Sequence, residues 1–72
     1  MTRDEFLNEL QDVLQRDDPI NASDSLLDYD EWDSLSKMAV MAFFDKQFGI
    51  KISLNEISQF EKVGDLLNLA KL

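Results

Sequence analysis

The chain has 72 residues, 44% of them hydrophobic, and a net charge of −8. It contains no cysteine and no histidine, which excludes a disulfide framework, a thiolate metal site and histidine-based acid–base catalysis. The length allows one small domain, residues 1–72, which buries only about 60% of the surface its unfolded chain exposes.

The elements follow in chain order. Thr2 with Glu5 forms a capping box, the two residues satisfying each other's backbone N–H groups at a helix start. Phe6, Leu7, Leu10, Val13 and Leu14 then recur at helical spacing, and Pro19 closes the helix a few residues after Arg16. Residues 17–33 read as a long loop rich in Asp, Ser and Asn, with Leu26 and Leu27 as its anchors in the core. A loop of that length in so small a domain is often functional. A second helix is predicted from Ser34 to Phe48, ended by Gly49. Ser53 and Glu56 form another capping box, opening a short helix that carries Ile57 and Phe60. A last helix holds Val63, Leu66, Leu67 and Ala70. "IKI" at 50–52 could pass for a strand but has no partner strand, so the fold class is all-α, with short connections that suit a bundle. The phenylalanines Phe43, Phe44, Phe48 and Phe60 are expected in the core.

The longest unbroken apolar run, Met38 to Phe44, is far too short to span a bilayer, and the acidic N-terminus does not read as a signal peptide. A soluble cytoplasmic monomer is expected. Acids concentrate at residues 24–33, which hold five and no base. Such a chain should repel nucleic acid and anionic lipid and attract basic protein surfaces. "DYDEWD" at 28–33 invites a calcium loop. Counted from Asp28, however, positions five, six and twelve hold Trp32, Asp33 and Ala39 instead of Asp or Asn, Gly and Glu. Trp32 reads as a lid on the loop or as a partner contact, the lid being the simpler of the two.

The stretch "EWDSLSKM" joins that loop to the second helix. Asp33 is a good N-cap, which places Ser34 in the first turn with its hydroxyl outward. Backbone N–H groups without intrahelical partners surround that hydroxyl, so an anion attached to it would be favoured. The site suits a phosphoester. A hydrolase nucleophile is not expected, because there is no histidine base and no G-x-S-x-G elbow. Taken alone, D-S-L is most simply a helix start.

The order of helix, acidic loop, "WDSL", apolar helix, "FGIKIS", short helix and "KVGDLLNLA" resembles an acyl carrier protein over nearly the whole chain. The resemblance implies a four-helix bundle with three longer helices and one short third helix. It implies that Ser34, within Asp33-Ser34-Leu35, carries 4′-phosphopantetheine as a phosphodiester taken from coenzyme A. The implied partners are a phosphopantetheinyl transferase and acyl- or aminoacyl-loading and condensing or transferring enzymes. The carrier itself is then no enzyme, and the thiol of its arm bears cargo as a thioester. The chain departs from fatty-acid-synthesis carriers in two ways. Its second helix has Lys37, Lys46 and only Asp45 as charges, and Trp32 stands before the motif. Tryptophan there is similar to carriers of specialised pathways, some of which hold aminoacyl groups.

On a helical wheel Val40, Met41, Phe44 and Phe48 form a core stripe. Leu35, Met38, Ala39 and Ala42 gather on nearly the opposite side, beginning beside Ser34. A surface helix needs one apolar face, so the second reads as a docking strip, with loop acids Asp28, Asp30, Glu31 and Asp33 steering basic partners. Crowding by Phe6, Phe44, Phe48 and Phe60 leads us to expect a short acyl or aminoacyl cargo held mostly outside the core. The contrasting reading is an unmodified acidic interaction module in which Ser34 is only a helix-start residue or a phosphorylation site.

Overall fold

The computed structural model describes all residues from Met1 to Leu72. Four α-helices follow in order: α1 (Arg3–Leu14), α2 (Ser34–Phe48), α3 (Leu54–Ile57) and α4 (Val63–Leu69), with one 3₁₀ turn at Leu26–Asp28 in the long loop. No strand forms. Residues 50–52 run from the end of α2 to the start of α3.

The helix starts lie where local chemistry puts them. Thr2 Oγ1 accepts the Glu5 N–H at 3.1 Å, and Glu5 Oε1 accepts the Thr2 N–H at 2.9 Å. Ser53 and Glu56 repeat the device at α3. At α4 the residue before the helix is Lys62, which has no acceptor. Asp65 compensates by taking the N–H groups of both Glu61 and Lys62, at 3.0 and 3.1 Å.

The first helix ends earlier than the sequence suggests. It stops at Leu14, and Gln15 turns into the left-handed region at φ 55°. Pro19 is therefore not the terminator. The Arg16 N–H bonds back to Gln11 O at 3.0 Å, and the Gln11 side-chain amide donates to the carbonyls of Arg16 and Asp17. Arg16 leaves the helix to meet the acidic loop. Gly49 does end α2, at φ 66°.

Phe6, Leu10 and Leu14 of α1 face Val40, Phe43 and Phe44 of α2 in one core that also takes Ile57, Val63, Leu66 and Leu67. The rings of Phe6, Phe43, Phe44 and Phe48 form a single cluster in which all six centroid separations fall between 5.3 and 6.2 Å. Such tilted and edge-on contacts add to the burial itself. Three expectations need correction. Phe60 lies beyond α3, is half-buried, and stands outside this cluster. The buried arc of α2 is rotated toward Phe43, leaving Met41 and Phe48 half-buried. Leu26 is fully buried, but Leu27 is 66% exposed. The 3₁₀ turn sends these neighbours to opposite sides, and the loop's other anchors are Ile20 and Tyr29.

The loop is sewn to the segment before α4. Leu26 N–H donates to Glu61 O at 2.8 Å, Val63 N–H to Asp24 O at 3.1 Å, and Gly64 N–H to Ala22 O at 3.0 Å. A Cβ on Gly64 would lie 3.3 Å from that Ala22 oxygen, so the close approach favours glycine.

Candidate functional site

The loop delivers the chain to α2 through a reciprocal cap. The Asp33 carboxylate accepts the Ser36 N–H at 2.9 Å, and the Ser36 hydroxyl accepts the Asp33 N–H at 2.9 Å. The Ser36 N–H, held against it, keeps the Asp33 carboxyl below the usual carboxylate range. The first helical turn closes with Lys37 N–H on Asp33 O at 2.9 Å. The N–H groups of Ser34 and Leu35 precede that bond and have no carbonyl of the helix to reach.

Ser34 is the first residue of α2, is exposed, and its hydroxyl enters no hydrogen bond within the chain. Asp33 and Ser36 do the capping, so the Ser34 oxygen is left over. An exposed oxygen at a helix start, beside N–H groups that no carbonyl of the helix takes up, fits a phosphodiester in charge and in access.

The residues beside it are open to solvent. Leu35 is 79% and Met38 58% exposed, and Ala39 and Ala42 are exposed as well. Two surface clefts flank this strip. One, of about 320 Å³, lies between the end of α1 and the start of α2, with Val13, Leu14, Leu35 and Ala39 among its walls. The other, of about 340 Å³, is bounded by Met38, Met41, Ala42 and Ile52 and by the Asp45–Lys51 ion pair at 3.3 Å.

The loop acids divide. Asp28 and Asp30 are exposed. Glu31 is engaged: its carboxylate takes Arg16 Nη1 at 2.9 Å, while its own backbone N–H and then Arg16 hold its carboxyl below the ordinary value. The Arg16 guanidinium also lies 3.9 Å over the Tyr29 ring. The Tyr29 hydroxyl donates to Asp24 Oδ2 at 2.6 Å, and burial, followed by that bond, pushes the phenol upward. Sequence patterning offers no sign of this Arg16–Tyr29–Asp24–Glu31 network, since its members come from two distant segments. Trp32 is half-buried against the core, as a lid would be, with its indole N–H buried and unpaired. Lys37 Nζ stands 5.7 Å from the centre of its ring.

The family model for the phosphopantetheine attachment site matches residues 4–70. A solved structure described as an acyl carrier protein from Mycobacterium tuberculosis superposes with a TM-score of 0.74 at 28% identity, covering 93% of this chain and 92% of that one. No curated protein matches the chain. No helix is long and apolar enough to cross a membrane. With the family match spanning residues 4–70 and the fold in agreement, this chain belongs to the family of phosphopantetheine-binding carrier proteins, whose prosthetic group is covalently held 4′-phosphopantetheine.

Proposed function

We propose that Ser34 is the attachment residue and that the protein shuttles thioester-bound short acyl or aminoacyl groups between biosynthetic enzymes. The observation that carries this reading is the free Ser34 hydroxyl, exposed at the head of α2 while its neighbours Asp33 and Ser36 serve the helix cap. When bound, the prosthetic group supplies a thiol on a flexible arm. The chain's own residues present the attachment oxygen, set the positive end of α2 beside the phosphate, and display a surface for enzymes to grip. Activation of Ser34 falls to the transferase, in keeping with a chain that has no histidine.

The strip of Leu35, Met38, Ala39 and Ala42 serves as the docking surface, next to the arm. Asp28 and Asp30 steer basic partners toward it, together with the Asp33 carboxylate. Glu31, bound to Arg16, shapes the loop more than it attracts a partner. The packed phenylalanine cluster favours cargo held outside the core, because forcing more volume into a filled core costs about 1–3 kcal/mol.

Incubation with coenzyme A and a broad-specificity phosphopantetheinyl transferase, followed by intact mass and peptide mapping, tests the attachment. Wild type should gain one arm, on Ser34. Ser34→Ala should keep its fold and gain none. An arm on Ser36, or persistence of modification in Ser34→Ala, overturns the assignment, and a chain that takes no arm at all supports the unmodified interaction module.

A further inference from the structure

Lys37 is the least solvent-exposed lysine of the chain, half-buried where Lys46, Lys51, Lys62 and Lys71 are exposed. It is also a cation without an ion pair. The pairs within 4 Å are Arg16–Asp18, Arg16–Glu31 and Lys51–Asp45, although Asp28, Asp30, Glu31 and Asp33 all stand in the preceding loop. Its ammonium is directed to the Trp32 ring instead, 5.7 Å from the centroid, a distance at which the ring face attracts a cation.

That placement has a geometric consequence. Side chains on a helix lean toward its N-terminus, and residues three apart are surface neighbours about 5–6 Å apart at Cβ. Ser34 and Lys37 are such a pair. Because Trp32 precedes the helix, a lysine reaching it extends over the first turn, where the Ser34 oxygen emerges. A phosphodiester on that oxygen adds a negative charge beside a loop already rich in acids, and Lys37 is the nearest base in the sequence.

We propose that Lys37 is a positioning residue for the prosthetic group, pairing with the phosphodiester at Ser34 while Trp32 holds its stem and ammonium in place. The inference rests on Ser34 as the attachment site. It predicts an arm anchored at its root, with the phosphate held against the first turn of α2 and the thiol end left free to swing.

The test uses the full chain carrying its arm, observed by phosphorus NMR. In the wild type the phosphodiester resonance should lie away from its position in the same protein unfolded in urea. Lys37→Gln should move it toward the unfolded position, and Lys37→Arg should restore most of the wild-type shift. The side-chain ε-carbon signal of Lys37 should change when the arm is added, while those of Lys46, Lys62 and Lys71 stay in place. A folded Lys37→Gln protein whose phosphorus resonance superimposes on that of the wild type overturns the proposal. A wild type with no phosphorus signal, or one whose signal survives Ser34→Ala, overturns the attachment reading instead.

Discussion

Arg16 reaches from just past the end of α1 to Glu31 in the acidic loop, Nη1 to Oε1 at 2.9 Å, fifteen residues away in sequence. With the guanidinium stacked on Tyr29, this contact closes the loop onto α1 and sets the path by which the chain enters α2. The contact joins the two ends of the loop, tying the segment that leads into Ser34 to the residue that follows α1.

The loop and helix-cap carboxylates predict how stability responds to acid. Asp24, Glu31, Asp33 and Asp65 are all held below their ordinary values, Asp24 first by the Tyr29 hydroxyl and then by the Asn21 N–H, Asp65 by the Lys62 and Glu61 N–H groups. Depressed carboxyls bind fewer protons in the folded chain than in the unfolded one, so their contribution is complete above the ordinary values of 3.8 and 4.5 and declines as pH falls through the lower folded ones. Thermal melts should be nearly constant from pH 7 to about 5 and fall steeply below about 4. A melting temperature that rises on acidification below that point contradicts the assignment.

The cap at Asp33 separates shape from charge. Asp33→Asn keeps an acceptor for the Ser36 N–H, whereas Asp33→Ala removes it. Calorimetry should show Asn close to wild type and Ala clearly lower. If attachment of the arm also fails in Asp33→Asn, the carboxylate charge itself is read by the transferase.

The two loop leucines should behave differently. Leu26→Ala removes a fully buried side chain and should cost about 2–5 kcal/mol. Leu27→Ala, at an exposed position, should stay within about 0.5 kcal/mol of wild type. Urea melts of the pair decide this, and equal losses would place both leucines in the core.

Docking is tested by Met38→Glu and Asp30→Lys. Met38 is 58% exposed, so the glutamate should leave stability within about 0.5 kcal/mol and weaken transfer to Ser34 and loading by partner enzymes. Asp30→Lys should slow association at low salt and lose its effect at high salt, as screening removes steering. Unfolding of Met38→Glu would make the strip part of the core.

Cargo placement can be read from amide shifts of the loaded protein. A short acyl group should perturb the residues lining the two clefts and leave Phe6, Phe43, Phe44 and Leu66 unmoved. Large shifts at those four with a long chain would show that the ring cluster opens.

The sequence by itself determined what depends on neighbours three or four residues apart. The caps at Thr2–Glu5, Asp33–Ser36 and Ser53–Glu56 are such interactions, so the starts of α1, α2 and α3, and with them the position of Ser34 in a first turn, were legible at once. The Asp33-Ser34-Leu35 motif and its flanks carried the family in the same way. Tertiary structure decided where distant segments compete for one surface. Arg16 lies beyond the left-handed turn at Gln15 and sets its guanidinium on Glu31 and Tyr29, partners that no local spacing names. Leu26 rather than Leu27 went inward at a turn that the Leu26 N–H ties to the Glu61 carbonyl, thirty-five residues away in sequence. Phe43 rather than Phe60 joined the ring cluster because the crossing of α1 and α2, which no local spacing encodes, fixed the rotation of α2 about its own axis. Helix periodicity names the residues that can be buried, and only packing against another element chooses among them.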